Sequence, residues 1–298
     1  MHYCVPLRIR IGVMMKKGLI MEGGAMRGMF TAGVIDVLME NGIEFDGAIG
    51  VSAGAAFGVN YKSKQIGRVI RYNTRFVRDK RYGGVRVLLK TGNIYSTEFC
   101  YNEVPLKHDI FDFDTYESNP MEFYVVATDI ETGEAVYHKF EGRNDHCFDW
   151  IRASASMPLV SQIVEIDGQK MLDGGIADSI PVRFFESIGY NKNIAVLTQR
   201  KEYQKSKNRM MPLIKLKYAK YPKLVEAMAN RHLMYNETLS YIDEKEKSGE
   251  LFVIRPEADL PVSRIEKDPQ KLKLAYEIGR KTAIKQLEKI HEFFECLL

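Results

Sequence analysis

Residues 45–54 read FDGAIGVSAG, a short apolar run that ends in glycines and a serine before a stretch rich in alanine and glycine. Such a run predicts a buried strand, a tight turn and a helix that begins at Ala53. The preceding segment has the same order: the apolar run KGLIM at Lys17–Met21, then glycines, then apolar residues at helical spacing over Met29–Glu40. An Asn-Gly pair directly afterwards provides a helix stop. The chain therefore contains two consecutive strand–turn–helix units.

Four more apolar runs predict strands, and helical stretches such as Trp150–Ser156 alternate with them. Asp167-Gly168 between two of these runs is a hairpin signal, which makes one edge antiparallel. The alternation predicts an α/β fold with three layers, α/β/α, around a mostly parallel central sheet. The four runs are Phe123–Ala127, Ile163–Ile166, Met171–Leu172 and Ile194–Leu197.

Beyond about residue 200 the sequence becomes basic and helical in pattern. Asp268 is a predicted N-cap, Pro269 takes the first helical position, and an apolar stripe follows. We expect a principal domain over 16–200 and a basic, largely helical C-terminal extension over 201–298 that packs on it. The stripe consists of Leu272, Tyr276, Ala283, Leu287, Ile290 and Phe294.

The composition is that of an ordinary folded protein: 45% of the 298 residues are hydrophobic and 28% are charged. No apolar run approaches the roughly 18–20 residues of a membrane-spanning helix, which excludes an integral membrane protein. Arg8 and Arg10 would interrupt the core of a secretory signal, and translation is expected to start at Met14 or Met15. Scattered cysteines without a C-x-x-C pair favour a reducing cytoplasm. They are Cys4, Cys100, Cys147 and Cys296.

The segment Gly50-Val51-Ser52-Ala53-Gly54 has the pattern G-x-S-x-G where a predicted strand ends and a predicted helix begins. This is the context of a nucleophile elbow, in which a strained turn points the serine hydroxyl outward. Gly50 and Gly54 leave room for strand and helix to cross closely, and the helix N-terminus favours developing negative charge. A glycine-rich turn without chemistry is the alternative interpretation.

A second glycine-rich loop, GGAMRG at residues 23–28, lies between the first predicted strand and helix. Consecutive backbone N–H groups in such a loop can converge on an oxyanion. A dinucleotide-binding loop is the competing interpretation, and it fails because G-x-G-x-x-G requires a glycine where the chain has Ala25. The segment between Gly28 and Ser52 is long enough for one helix and one strand, so this loop and the G-x-S-x-G turn can lie side by side.

A serine nucleophile needs a base, and the candidate is Asp173 in the segment LDGG at 172–175. The end of a predicted strand can direct its carboxylate towards the open edge of the sheet. An aspartate that caps its own turn is the alternative. Asp178 is a rival carboxylate, although the following Pro181 favours a role at a helix start.

Histidines supply a further alternative. His232 and His291 follow Asp173 in the chain order of a Ser-Asp-His triad, but both lie in polar helical segments where a solvated histidine is usual. The others have no metal-ligand spacing, so no metal is expected. They include His108, His138 and His146.

Together these motifs resemble the patatin-like phospholipase family, whose pattern combines a G-G-x-x-R-G loop, G-x-S-x-G and D-G-[GA]. The segment ASASMP at 153–158 is similar to the A-S-x-x-x-P block of that family. The resemblance covers about residues 16–200 and implies that Ser52 is the nucleophile and Asp173 the base. The chain departs from the family pattern at Ala25, where many members have a third glycine. The loop residues that it assigns to the oxyanion hole are Gly23, Gly24, Ala25, Arg27 and Gly28.

The resemblance implies a serine acyl-ester hydrolase that acts on lipids, of phospholipase A type, with a Ser-Asp dyad and no cofactor. A soluble short-chain carboxylesterase or thioesterase is the alternative within enzymes. A lipid-sensing protein without turnover is the alternative from another class, and the intact Ser52, Asp173 and Arg27 argue against it.

Charge is segregated along the chain, although the net charge is only +4. Residues 62–90 contain ten Lys/Arg against one acid, and residues 200–223 contain nine against one. We expect peripheral contact with an anionic membrane through these segments; a solvated basic face is the alternative. Nucleic acid is not expected, because no recognised binding motif accompanies the charge. Four arginines of the first segment recur at helical spacing: Arg68, Arg71, Arg75 and Arg78.

Overall fold

A central β-sheet organises the computed structural model, which describes residues 15–143, 146 and 148–295. Within these residues eight strands form one sheet in the order β5-β6-β3-β2-β1-β7-β8, and β4 also pairs with β3. Met14, Cys4, Cys147 and Cys296 lie outside the described residues. The strands are β1 Lys17–Met21, β2 Gly47–Val51, β3 Glu122–Asp129, β4 Ala135–Lys139, β5 Val164–Ile166, β6 Gln169–Asp173, β7 Lys192–Val196 and β8 Leu251–Ile254.

The pairing pattern confirms the mostly parallel sheet. β7, β1, β2 and β3 run parallel, and β8 runs parallel to β7. β6 pairs antiparallel with both β3 and β5, as β4 does with β3. The hairpin turn between β5 and β6 is formed by Asp167 and Gly168, whose φ angles are +51° and +79°. Two consecutive positive φ angles are the signature of a type I′ turn, which the sequence predicted.

Helices cover both faces of the sheet, which confirms the α/β/α layers. One core cluster contains Phe30, Val59 and Ile290, and the cluster on the other face contains Phe185 and Tyr235. The helices are α1 Gly28–Glu40, α2 Ala53–Lys62, α3 Arg68–Phe76, α4 Val85–Thr91, α5 Phe113–Ser118, α6 Asp149–Ser154, α7 Val182–Ser187, α8 Met211–Lys217, α9 Pro222–Lys247 and α10 Pro269–Glu295, with a π-helix at Glu98–His108. No described helix is long and apolar enough to cross a bilayer.

The chain beyond residue 200 contributes to the sheet as well as to the helical layers. α8, α9 and α10 lie here, and the backbone N–H of Gln270 donates to Asp268 Oδ1 at 3.0 Å, as the predicted cap requires. β8 pairs with β7 over Asn193↔Leu251 to Val196↔Ile254. This strand was not anticipated, because four apolar residues do not distinguish a strand from a helical turn. The domain boundary at residue 200 stays a prediction.

The basic face predicted over α3 is interrupted. Arg68 is only 4% exposed, so the expectation that all four arginines share one exposed face is wrong for this residue. Its Nε lies 3.4 Å from Asp109 Oδ1, and Arg71 Nε lies 2.7 Å from Asp109 Oδ2. A buried carboxylate thus pairs with two of the four arginines, and Arg71, Arg75 and Arg78 all stay exposed.

α10 crosses α1 so closely that the two backbones nearly touch. A Cβ atom on Gly33 would lie 2.1 Å from Tyr276 O, and one on Gly279 would lie 2.0 Å from Phe30 O. Such distances leave no room for a side chain at either position. Beside the crossing, the Tyr276 hydroxyl donates to Asp36 Oδ2 at 2.7 Å. Glycine at these two positions therefore fixes the C-terminal helix against α1.

The substitution Gly33→Ala tests this crossing. An alanine in a helix normally gains about 1 kcal/mol over glycine. Here we expect a net loss of about 1–3 kcal/mol in the free energy of unfolding, because the new methyl group would meet backbone atoms that cannot move aside. Urea denaturation measures the change. Ser240→Ala on the exposed side of α9 is the control and should stay within about 0.5 kcal/mol of the parent. A Gly33→Ala protein more stable than the parent would contradict the interpretation.

Candidate active site

Ser52 lies in a strained turn between β2 and α2. Its backbone angles, φ +55° and ψ −119°, are ones that residues with a side chain rarely adopt. A Cβ atom on Gly50 would lie 2.5 Å from the Gly54 carbonyl carbon, and one on Gly54 would lie 2.3 Å from Met21 O. The two glycines allow β2, α2 and the end of β1 to meet at the elbow.

The Ser52 hydroxyl donates a hydrogen bond of 2.7 Å to Asp173 Oδ2. The second carboxylate oxygen, Oδ1, accepts the backbone N–H of Gly175 at 2.8 Å. Ser52 is 8% exposed and Asp173 is 6% exposed, so both lie beneath the surface. The serine and the aspartate that the sequence analysis singled out are thus direct partners although they lie 121 residues apart.

Strand β3 brings these two residues together. It pairs with β2 at Val51↔Val126, one residue before Ser52, and with β6 at Ala127↔Asp173. The register therefore puts the end of β2 and the end of β6 beside adjacent residues of one strand. Because the sheet fixes both ends, the contact does not depend on flexible loops.

The segment at residues 153–158 holds the backbones of both partners. The Ser52 N–H donates to Ser154 Oγ at 2.8 Å, and the Asp173 N–H donates to Ser156 O at 2.9 Å. Thr128 Oγ1 on β3 adds a donor to Asp173 O at 2.9 Å. This segment was matched only by its resemblance to a family block, and its contacts explain why those serines stand there.

The glycine loop lies directly beside the serine. A Cβ atom on Gly23 would be 3.0 Å from Ser52 Cβ, and Ala25 has a positive φ of +49°. Among the described residues, no acceptor takes the N–H groups of Gly23, Gly24 or Ala25. The N–H of Arg27 donates to Gly24 O at 3.1 Å, and that of Gly28 is also used within the turn. The N–H groups of the first three loop residues can therefore donate to another group.

An apolar cavity opens next to Ser52 and Ala25. Its volume is about 120 Å³, and its walls come from α2, α3, the π-helix and α6. Aliphatic and aromatic side chains dominate this surface, which suits an acyl chain better than a polar group. Representative wall residues are Phe57, Tyr72, Tyr101, Phe148, Ile151 and Met157.

Glu22 is a site residue that the sequence analysis missed. Glu22 is 2% exposed and directly precedes the glycine loop. Its carboxylate accepts a hydrogen bond from the Thr198 N–H at 2.6 Å and another from the Tyr235 hydroxyl at 2.5 Å. It thereby ties the loop to the segment after β7 and to α9. An acid directly after a buried apolar strand was the available signal, but its partners lie 176 and 213 residues away.

Arg231 on α9 is a second missed residue. Its Nε donates to Gly175 O, which lies in the turn that also donates to Asp173. Burial raises the pKa of Asp173 above its usual range, and the positive charge of Arg231 opposes that rise. Arg231 therefore moderates the basicity of the carboxylate from outside the β6 turn.

The alternative candidates for the base, Asp178 and the histidines, make other contacts. Asp178 accepts the Tyr137 hydroxyl at 2.8 Å and the Ile180 N–H at 3.2 Å. His232 Nδ1 lies 3.0 Å from Ala229 O. Within the described residues no histidine hydrogen-bonds to Ser52 or Asp173, and no group of three or more metal-ligating side chains is found.

A model of the patatin-like phospholipase family matches residues 19–185, more than half of the chain. The chain therefore belongs to the patatin-like phospholipase family. A second model, a domain of unknown function (DUF6363), matches residues 221–295. That region contains α9, β8 and α10, and so includes Arg231.

Individual relatives carry different names. "Uncharacterized protein YjjU" of Escherichia coli K12 is 31% identical over 60% of this chain and 50% of its own. "Uncharacterized NTE family protein Rv1063c" of Mycobacterium tuberculosis is 27% identical over 64% and 51%. "Lysophospholipase nte1" of Emericella nidulans is 28% identical over 60% of this chain and 12% of its own. The chain spans about half the length of the first two relatives.

Among solved structures, VipD from Legionella pneumophila matches with a TM-score of 0.46 and 12% sequence identity. The match covers 92% of this chain and 67% of that one.

The pKa of Asp173 should respond to the charge of Arg231. Arg231→Gln removes the positive charge that opposes the effect of burial, so the pKa of Asp173 should rise further. Arg231→Lys keeps the charge and should restore a lower value. Carboxyl ¹³C NMR titration measures both. The Asp178 signal is an internal control, because burial raises its pKa as well but Arg231 is not among the charges that act on it. An unchanged or lower Asp173 pKa in Arg231→Gln would contradict this role.

Proposed function

We propose that this protein is a serine lipid acyl hydrolase of phospholipase A type that works through a Ser52–Asp173 dyad. The observation that carries the proposal is the 2.7 Å hydrogen bond from Ser52 Oγ to Asp173 Oδ2, formed beside a glycine loop and an apolar cavity. Membership of the patatin-like phospholipase family supports a lipid substrate. The cytoplasm stays the proposed compartment.

In the acylation step Ser52 Oγ attacks the ester carbonyl carbon while Asp173 accepts the hydroxyl proton. The carbonyl oxygen becomes an oxyanion and takes hydrogen bonds from the N–H groups of Gly24 and Ala25. The intermediate collapses, the C–O bond to the alcohol breaks, and Asp173 returns the proton to the departing oxygen. Ser52 is left as an acyl ester.

Deacylation repeats these roles with water as the nucleophile. Asp173 accepts a proton from the water as its oxygen bonds to the acyl carbon, and the same N–H groups hold the second oxyanion. The Ser52–acyl bond breaks, and the proton passes from Asp173 to Ser52 Oγ. Burial helps this cycle, because a carboxylate with a raised pKa is a stronger base.

Two variants test the dyad on esters of graded acyl length and on lysophospholipids. Ser52→Ala and Asp173→Asn should each lower kcat/KM by about a thousandfold or more, because each removes a group that acts in both chemical steps. Asp178→Asn is the matched control: it is a nearby aspartate bonded to Tyr137, and it should keep the parental rate. The rate should increase with acyl length.

The other outcomes separate the alternatives. Activity that survives Ser52→Ala would overturn the proposal. Serine-dependent turnover confined to short esters would favour a soluble carboxylesterase or thioesterase. Inactivity of the parent on every ester would favour a lipid-binding protein without turnover.

We also infer a peripheral membrane contact through the basic segments 62–90 and 200–223. Exposed apolar side chains stand among the lysines and arginines of both segments, and this mixture suits the interface of an anionic bilayer. Leu89 is 84% exposed and Leu216 is 78% exposed. Further exposed members are Ile66, Val85, Met210 and Leu213.

Vesicle sedimentation tests this contact. The protein should bind vesicles that contain phosphatidylglycerol, and binding should weaken as salt screens the charges. The double variant Leu89→Glu/Leu216→Glu should bind several-fold more weakly, because it places acids at the two most exposed apolar positions of these segments. Leu274→Glu, at an exposed position of α10 outside both segments, is the control. Equal binding to pure phosphatidylcholine vesicles would remove the electrostatic part of the proposal.

A further inference from the structure

The apolar cavity beside Ser52 runs along one face of α2. Ala53, Ala56 and Phe57 line it, and their spacings of three and four residues put them on the same side of the helix. The next residue on that face is Asn60, which is buried. The face is therefore apolar next to the serine and becomes polar one turn beyond Phe57.

Arg68 lies at the polar end of this face. It is buried, yet it lines the cavity. Its Nη1 donates to Asn60 Oδ1 at 3.0 Å, and its Nε donates to Asp109 O at 3.0 Å. The guanidinium carbon lies 5.3 Å from the ring centre of Tyr72 and 5.4 Å from that of Phe111. Hydrogen bonds and aromatic rings thus fix the guanidinium at the far end of the cavity.

The residues that contact Arg68 close this end. Asp109 and Phe111 are both buried. The Asp109 carboxylate also accepts two hydrogen bonds from Arg71, at 2.7 Å to Nε and 2.8 Å to Nη2. Burial of one more methylene improves binding by only about fourfold, whereas displacement of the guanidinium breaks charge-assisted hydrogen bonds. An acyl chain in the cavity should therefore stop at Arg68.

The rise of α2 gives the length of this path. Asn60 follows Ser52 by eight residues. At 1.5 Å per residue, the helix advances roughly 12 Å between them. A saturated chain extends by about 1.25 Å per carbon at ordinary C–C bond lengths and angles, so about ten carbons span that distance.

We propose that Arg68 sets the acyl length at which binding to the cavity stops improving, which makes esters of medium-chain acyl groups, of about ten carbons, the preferred class. Arg68 is then a specificity-determining residue at the closed end of the acyl cavity. This inference rests on the proposed function for turnover, but the binding of an alkyl chain in the cavity does not require it.

Calorimetric binding of straight-chain alcohols to the Ser52→Ala protein tests the limit without catalysis. Affinity should rise about fourfold per methylene up to about ten carbons and then stay constant. Arg68→Met in the same background should move this break to longer alcohols, because Arg71 keeps Asp109 paired while an apolar side chain replaces the guanidinium. Ala56→Leu should move it to shorter alcohols, because the larger side chain fills part of the cavity.

Arg71→Met is the matched control. Arg71 lies on the same helix as Arg68 and pairs with the same carboxylate, but it does not line the cavity. Its loss should leave the break at the parental length. A break that moves equally in Arg71→Met and Arg68→Met would show a general effect of the Asp109 pairing and overturn the proposed role of Arg68.

Kinetics of the serine-containing protein supply the second measurement. On soluble esters of graded acyl length, kcat/KM should rise with each methylene and level off at the length where alcohol binding levels off. Arg68→Met and Ala56→Leu should move this break in opposite directions, chiefly through KM. Circular dichroism establishes that each variant is folded, and the parental series tests the limit even where Arg68→Met does not fold.

The outcomes distinguish this inference from the proposed function. Ester hydrolysis that depends on Ser52 but gains with every methylene well past ten carbons would overturn the limit and leave the hydrolase standing. Alcohol binding with a break that moves in Arg68→Met, in a protein that turns over no ester, would overturn the hydrolase and leave the limit standing. A break that stays at the parental length in a folded Arg68→Met protein would assign the end of the cavity to other residues and overturn the inference.

Discussion

The backbone of Ser52 is the constraint on which the site depends. A positive φ at a residue with a side chain costs on the order of 1–3 kcal/mol, so the surroundings have to hold it in place. β2 lies in the interior of the sheet, all five of its residues are buried, and α2 packs directly above it. Gly54 on α2 packs against the carbonyl oxygen of Met21 on β1, and this close contact leaves no room for a side chain where the two elements meet. The packed strand and helix therefore hold the Ser52 backbone in this conformation.

Local patterns in the sequence were sufficient to place most of this framework. The run KGLIM predicted β1 at its observed bounds, and helical spacing placed α1 within one residue of its observed start at Gly28. Asp167-Gly168 predicted the turn between β5 and β6. These features depend on a few adjacent residues, so the signal lies within a short window. The candidate dyad residues, Ser52 and Asp173, were also singled out locally, through motifs at strand ends.

The features that were missed depend on contacts between distant segments. β8 is four residues long and becomes a strand by pairing with β7 across more than fifty residues of chain. The helical spacing of the arginines suggested that Arg68 lies on the surface, but it is buried and pairs with Asp109, which lies outside the basic segment. Neither Glu22 nor Arg231 belongs to a motif, and both acquire their roles from tertiary packing. No pattern of spacing encodes such pairs, because the fold alone brings the partners together.

The surroundings of the dyad extend beyond the region matched by the patatin-like model. That region ends at residue 185, whereas Thr198, Arg231 and Tyr235, which contact Glu22 or the turn beside Asp173, all follow it. Ser52, Asp173 and the glycine loop thus lie within the matched region, whereas Arg231 and Tyr235 lie in the segment that follows it. Two parts of a gene can change at different rates. A change confined to the downstream segment can therefore alter the surroundings of Ser52 and Asp173 while both residues stay the same.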